Sequence, residues 1–352
     1  MKVAIVNQKG GVGKTTTAVN LATALANAGH AILLVDLDPQ ANATTGLGIE
    51  HRELDVSVYD VLIDGRPPDE AIISTRYPGL DLIPSSIDLA GAELELVPAF
   101  SRESKLRVAL ESLEKPYEAI FIDCPPSLGL LTVNALTAAD WTLVPIQCEY
   151  YALEGLSQLM KNVELVRAGL NPRLEVGGIL LTMYDARTKL SEQVAQEVRS
   201  HFGERVFETV IPRSVRLSEA PSHGEAAVSY DPSSRGSLAY RWLSDEFAKR
   251  HLRPGGRGSE ATRVTAESQT SVPDGGIDDA EGDPAPAPGA WVEGKAARTE
   301  PSHELGSLTE QPEPASEEAI PEPPWRSAAA EAARRAREFL RPAPSEEERD
   351  DE

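Results

Sequence analysis

The chain has 352 residues, with 34 Lys and Arg against 56 Asp and Glu, for a net charge of −22. Such acidity excludes nucleic-acid binding through overall charge, so any contact of that kind needs a local basic patch. Two cysteines, Cys124 and Cys148, both in apolar surroundings, are too few for a disulfide framework or a thiolate metal site.

An apolar strand over 2–7 opens the chain. Lys9-Gly10-Gly11-Val12-Gly13-Lys14-Thr15-Thr16 follows it, and then a helix expected over 15–28. A glycine-rich loop between strand and helix lets backbone N–H groups close on phosphate oxygens. The helix N-terminus adds free N–H groups and a positive dipole end. In such a loop Lys14 reaches the outer phosphates and the Thr15 hydroxyl binds Mg²⁺. Gln8 stands where the usual first glycine belongs, and a second lysine, Lys9, opens the loop. This is a variant P-loop.

A strand over 31–36 ends in Asp36-Leu37-Asp38-Pro39-Gln40. After a strand at 80–83, another over 118–122 ends in Asp123-Cys124-Pro125-Pro126-Ser127. Two apolar strands, each delivering a carboxylate at its C-terminal end, suit a Mg²⁺-phosphate site at the top of a parallel sheet. The prolines end the strand, and Ser127 is placed to cap a helix over 128–139. Strands at 141–146 and 175–182 follow, with helices at 153–168, 189–202 and 234–250. Gly169 and Gly203 fit the C′ position of the first two.

This alternation predicts an α/β fold, a mostly parallel sheet with helices on both faces and right-handed crossovers. The near-continuous Val/Ile/Leu strands suit a sheet covered on both sides. Composition divides the chain into a domain over 1–252 and a tail. Net charge is −10 over 1–252 and −12 over 253–352. Residues 253–325, rich in Pro, Gly and Glu, are expected to be disordered. Residues 326–352 are expected to hold a short Ala/Arg helix with a weak apolar face and an acidic terminus. No internal repeat is visible. Without a signal-like segment or a long uncharged apolar run, a cytoplasmic location is expected.

Lys9, the Asp36-Leu37-Asp38-Pro39-Gln40 run, Ile122-Asp123-Cys124-Pro125-Pro126-Ser127 and Val215-Arg216-Leu217-Ser218-Glu219-Ala220-Pro221-Ser222-His223-Gly224 together resemble the ParA/Soj chromosome- and plasmid-partitioning ATPases. These belong to the deviant Walker A group of P-loop NTPases that also contains MinD. The resemblance covers about residues 1–250. It implies ATP and Mg²⁺ as ligands, with Gly10, Gly11, Val12, Gly13, Lys14, Thr15 and Thr16 cradling the phosphates. It implies that Lys9 crosses a dimer interface to the other subunit's nucleotide, and that Asp38 orients the attacking water. Asp36 matches the carboxylate nearer Mg²⁺, and Asp123 the Walker B-type carboxylate. Glu149 matches a loop residue near the ribose, and Thr182 and Pro212 fall where the family builds its adenine pocket. Arg187 and Arg216 match arginines that bind non-specific DNA. Arg213 is a third candidate for DNA binding, with the lining of the nucleotide pocket as its alternative role. His223 is expected as a hydrogen-bonded loop histidine.

The resemblance thus implies a weak ATPase whose ATP-bound sandwich dimer binds double-stranded DNA on the nucleoid. A ParB/Spo0J-like centromere-binding partner stimulates hydrolysis and resets it. The chain opens on its first strand without a helix-turn-helix domain, which favours a Soj-like role over sequence-specific repression. Other readings stay open. A MinD-like or cargo-positioning ATPase would want a stronger terminal amphipathic helix. A metabolic enzyme on the same scaffold could be an amidoligase or a nitrogenase iron-protein relative, the latter needing interface cysteines. A nucleotide-gated scaffold is disfavoured by the retained Lys14, Thr15, Asp38 and Asp123.

Overall fold

The computed structural model describes residues 1–50, 54–149 and 152–252. The expectations for 253–325 and 326–352 lie outside them. Seven strands form one sheet: β1 (Lys2–Ile5), β2 (Ile32–Asp36), β3 (Ile73–Ser74), β4 (Leu80–Ile83), β5 (Ala119–Asp123), β6 (Trp141–Gln147) and β7 (Glu175–Thr182). Their spatial order is β3-β4-β2-β5-β1-β6-β7, and every pairing is parallel except β3 with β4. The fold is the expected mostly parallel α/β sheet with helices on both faces.

The helices are α1 (Lys14–Asn27), α2 (Asn42–Gly46), α3 (Val58–Leu62), α4 (Leu89–Leu96), α5 (Lys105–Glu111), α6 (Leu130–Ala138), α7 (Ala152–Gly169), α8 (Lys189–Phe202), α9 (Val215–Glu219), α10 (Ala227–Tyr230) and α11 (Arg235–His251). Successive strand residues point to opposite faces, and the strands feed two cores accordingly. Val3, Ile5, Leu34 and Phe121 pack with Leu21 and Leu25 of α1 and Leu243 and Phe247 of α11. Ala4, Val6, Val35 and Ile122 pack with Leu106, Leu131, Leu156 and Val198 of α5 to α8. Each fully buried Leu or Phe contributes about 1.5–3 kcal/mol.

Two local expectations need correction. Ser127 does not cap α6, whose N-cap is Gly129 without a side-chain bond. Ser127 instead accepts the Thr132 hydroxyl at its carbonyl, 2.6 Å away, because the prolines carry the chain two residues further before it turns helical. Gly169 is the last residue of α7 and takes no left-handed conformation, unlike Gly203 after α8 (φ 54°).

Strand order sets up the site. β5, late in sequence, inserts between β1 and β2. In that register Asp36 lies directly beside Asp123, and Ile5, just before the loop, lies on the other side of Asp123.

Candidate nucleotide-binding site

Asn7 fixes the approach to the glycine loop. Its amide donates to the Pro145 carbonyl (2.7 Å), and its side-chain oxygen accepts the Lys9 N–H (2.9 Å). Gly11 (φ 74°) and Gly13 (φ 91°) are left-handed, a conformation that a side chain would strain. The Thr182 hydroxyl at the end of β7 donates to the Val12 carbonyl (2.8 Å), tying the loop to the sheet. Gly13 caps α1 with no side-chain acceptor, so the first-turn N–H groups of this 14-residue helix face the loop unclaimed by any cap. That is an anion-binding arrangement.

Lys14 is the only buried Lys or Arg among the described residues. Burial lowers its pKa, while Asp123 and Asp38 pull the other way. Its ammonium donates to the Lys9 carbonyl at 3.4 Å, a long contact. The amine is thus held at the loop by a weak bond that a phosphate oxygen can replace.

Asp36, Asp38 and Asp123 are all buried. Asp36 is fully engaged: one oxygen accepts the Thr44 N–H (2.8 Å) and hydroxyl (2.7 Å), the other the Asp38 N–H (3.2 Å). Burial still pushes its pKa up to about 6. Asp38 accepts the Gln40 N–H (3.0 Å), and its carbonyl accepts the Ser85 hydroxyl (2.8 Å). Asp123 is different. Neither of its carboxylate oxygens has a hydrogen-bond partner of good geometry. The Thr15 hydroxyl faces it closely enough to favour the charged form, yet burial and the Asp36 charge drive its pKa well up.

This donor set fits a small divalent cation. A fully buried carboxylate without a partner lacks a positive charge, and Thr15 supplies a second oxygen beside it. Three acids against one buried lysine would also repel a polyphosphate unless a cation joined them. The described residues contain no group of three or more His, Cys, Asp or Glu able to hold a metal. A cation here would complete its shell with water and phosphate oxygens, as Mg²⁺ does.

A cavity of about 120 Å³ beside the loop is lined by Gly13, Thr16, Thr182, Met183, Pro212 and Arg213 among others. Thr182 and Pro212 are therefore brought together with the loop. Arg213 lies here too, whereas Arg187 and Arg216 do not line the cavity. Arg187 is highly exposed and forks onto Asp185 (2.9 and 2.7 Å). Arg216 pairs with Glu219 (2.7 Å) and Asp231 (3.2 Å). Such exposed pairs are weak and exchange readily. Lys9 and Glu149, both half-exposed, form an ion pair with each other.

Sequence reading missed Asn7, Thr44, Ser85 and Met183. The last takes a left-handed φ of 50° at the cavity. Thr44 had one faint signal, an Asn-Ala-Thr-Thr run that begins six residues past Asp36. His223 stacks on Tyr230, ring centroids 4.8 Å apart, within the described loop. Cys124 and Cys148 are buried free thiols, and burial raises both.

A family model described as an AAA domain matches residues 1–176. The chain is 58% identical over 246 residues to the sporulation initiation inhibitor protein Soj of Bacillus subtilis, covering 70% of this chain and 97% of that protein. It is 55% identical over 250 residues to the chromosome partitioning protein ParA of Caulobacter vibrioides, covering 70% and 94%. Among solved structures, cobyrinic acid a,c-diamide synthase from Mycobacterium smegmatis, with bound ADP and magnesium, is similar at a TM-score of 0.62 and 39% identity. That match covers 72% of this chain and 96% of the other. With the glycine loop, its lysines and the paired strand-end aspartates in place, the chain belongs to the Soj/ParA family of chromosome-partitioning ATPases.

Proposed function

We propose that this protein is an ATP-driven DNA-partitioning switch. The observation that carries the reading is Asp123, fully buried and without a hydrogen-bond partner, beside Thr15 and Lys14 at the foot of the glycine loop. The backbone of residues 10–16 takes the phosphates of ATP, and Lys14 neutralises the outer ones. Thr15 and Asp123 hold Mg²⁺, with Asp36 behind them, and Mg²⁺ supplies the positive charge that phosphoryl transfer requires. Asp38 orients the attacking water. The base sits in the cavity of Thr182 and Pro212, with Glu149 near the ribose.

With ATP bound, Lys9 leaves Glu149 for the nucleotide of a second copy, closing a sandwich dimer. Doubling the surface that bears Arg187 and Arg216 raises DNA affinity by avidity. Arginine suits phosphate because its planar fork donates two hydrogen bonds. Slow hydrolysis, stimulated by a ParB/Spo0J-like partner, separates the dimer and releases DNA, so the protein cycles on and off the nucleoid. No described helix is long and apolar enough to cross a membrane.

Co-sedimentation of Asp38→Ala protein with double-stranded DNA tests this. Pelleting is expected with ATP and not with ADP, and Arg216→Glu should reduce it at least tenfold. Pelleting that ignores the nucleotide, or none in any state, would refute the switch.

A further inference from the structure

Five of the ten exposed large apolar residues among those described fall within residues 87–108: Ile87, Leu94, Val97, Phe100 and Val108. Phe100 is 96% exposed. Phe100 and Val108 line an open groove of about 720 Å³, together with Val61, Pro68, Asp69 and Glu114. Arg66 in this groove is turned onto Glu70 (3.0 and 2.6 Å), and Lys105 also lines it, so its charged lining is three acids, Asp69, Glu70 and Glu114, against two cations. Its lining runs from Ser104 and Lys105 at the start of α5 to Ser112 and Glu114 beyond its end, so the groove follows that helix. The surrounding segment is acidic. Residues 54–118 contain 13 Asp and Glu against 6 Lys and Arg, a net −7 out of the −10 for residues 1–252. An apolar groove with an acidic border calls for a basic, amphipathic occupant.

The chain carries one. Trp325, Ala329, Ala332, Ala336 and Phe339 recur at spacings of four, three, four and three, the stripe of an amphipathic helix. Arg326, Arg334, Arg335, Arg337 and Arg341 against Glu331 and Glu338 give this stretch a net +3 inside an otherwise acidic tail. Its apolar residues span about 21 Å as a helix. Seventy-two residues, 253–324, separate it from the domain. As the disordered coil expected from its composition, a stretch of that length would span about 45–50 Å root-mean-square, enough to reach any face of the domain. It also sets an effective concentration of about a millimolar or more.

We propose that residues 325–341 dock in cis into the groove bounded by Phe100 and Val108, arginines toward its acidic border and Trp325 and Phe339 inward. This contact does not depend on the nucleotide or DNA assignments. At that effective concentration even a contact of about 0.1 mM affinity is closed most of the time.

Disulfide trapping in the full chain tests it. Val108→Cys with Ala332→Cys is compared with Val215→Cys and Ala332→Cys, in which the first cysteine replaces a somewhat more exposed valine on α9. The two native cysteines are buried and serve as internal blanks. The groove pair is expected to cross-link at least tenfold faster than the control pair, at a rate independent of protein concentration. Phe100→Asp should bring the rate down to that of the control. So should Arg334→Glu with Arg335→Glu and Arg337→Glu, which leaves the domain untouched. Equal rates for the two pairs would overturn the proposal. So would a rate that scales with concentration, which would make the groove a contact between copies.

Discussion

Asp123 shows what burying a single carboxylate can cost. It is fully buried, its two oxygens lack partners, and Asp36 lies beside it in register. Both carboxyls have pKa values raised by burial. The sign follows from linkage: a raised carboxyl holds its proton in the fold after the unfolded chain has lost it. Stability therefore falls as pH rises from about 4 to about 6 through Asp36, and further through Asp123. Asp123→Asn is expected to stabilise the ligand-free chain at pH 7 by about 1–3 kcal/mol. It should also flatten that fall and abolish the stabilisation given by Mg²⁺ with ATP. Thermal melts across pH, with and without ligand, check all three; a destabilised variant would show that Asp123 has a structural partner instead. Lys14, Asp36, Asp38 and Asp123 were legible because each sits at a strand end or in a glycine loop, where sequence alone fixes the address. Thr44 and Ser85 were not. Thr44 binds Asp36 only because a five-residue helix folds back over the end of β2, and no periodicity announces so short an element.

Among the elements, the long strands and helices matched their hydrophobic runs, and the short ones escaped. β3 is two residues long and antiparallel, and α2, α3 and α9 have five residues each, below the reach of any repeat. α11 fixes the lower end of the domain through its last residue. The His251 ring meets Trp141 edge-on at 4.1 Å and approaches Phe247 at 4.9 Å and Phe207 at 6.3 Å. Its Nδ1 is buried without a hydrogen-bond partner. Burial, with the nearby Arg250 charge, pushes its pKa down to about 4. Here the unfolded chain takes up the proton first, so stability is present above about pH 6.5 and lost as pH falls toward 4. His251→Leu should remove about 1 kcal/mol of that acid-side loss, the ring being only partly shielded from solvent. The measurement is the difference between parent and variant melting temperatures at pH 7 and at pH 5. A constant difference would mean that His251 does not titrate with folding. At the inner end of the same helix, the buried Tyr240 hydroxyl meets that of Thr17 at 3.0 Å. The closing helix is thereby joined to the helix that begins at the glycine loop.

Across the molecule, the least legible feature was strand order. Nothing in the sequence says that β5 inserts between β1 and β2, yet this insertion makes neighbours of carboxylates 87 positions apart. A second long-range meeting, between Gly48 and Gly224, has a mechanical meaning. A Cβ on Gly224 would come within 2.7 Å of the Gly48 Cα, and both residues are left-handed. Gly48 trails α2, which Thr44 fastens to Asp36; Gly224 trails the turn Ala220–His223, which continues directly from α9 and Arg216. Two main chains in direct contact have no side chain between them to absorb a displacement. The pair is placed to work as a strut, one end fastened to Asp36 through Thr44 and the other continuing to Arg216. Gly224→Ala should push the ends apart. ATP binding, read by fluorescent-nucleotide titration, is expected to persist while ATP-dependent DNA pelleting drops at least tenfold. If both survive unchanged, the strut transmits nothing. If it does transmit, a displacement at Asp36 arrives at the segment bearing Arg216 without slack.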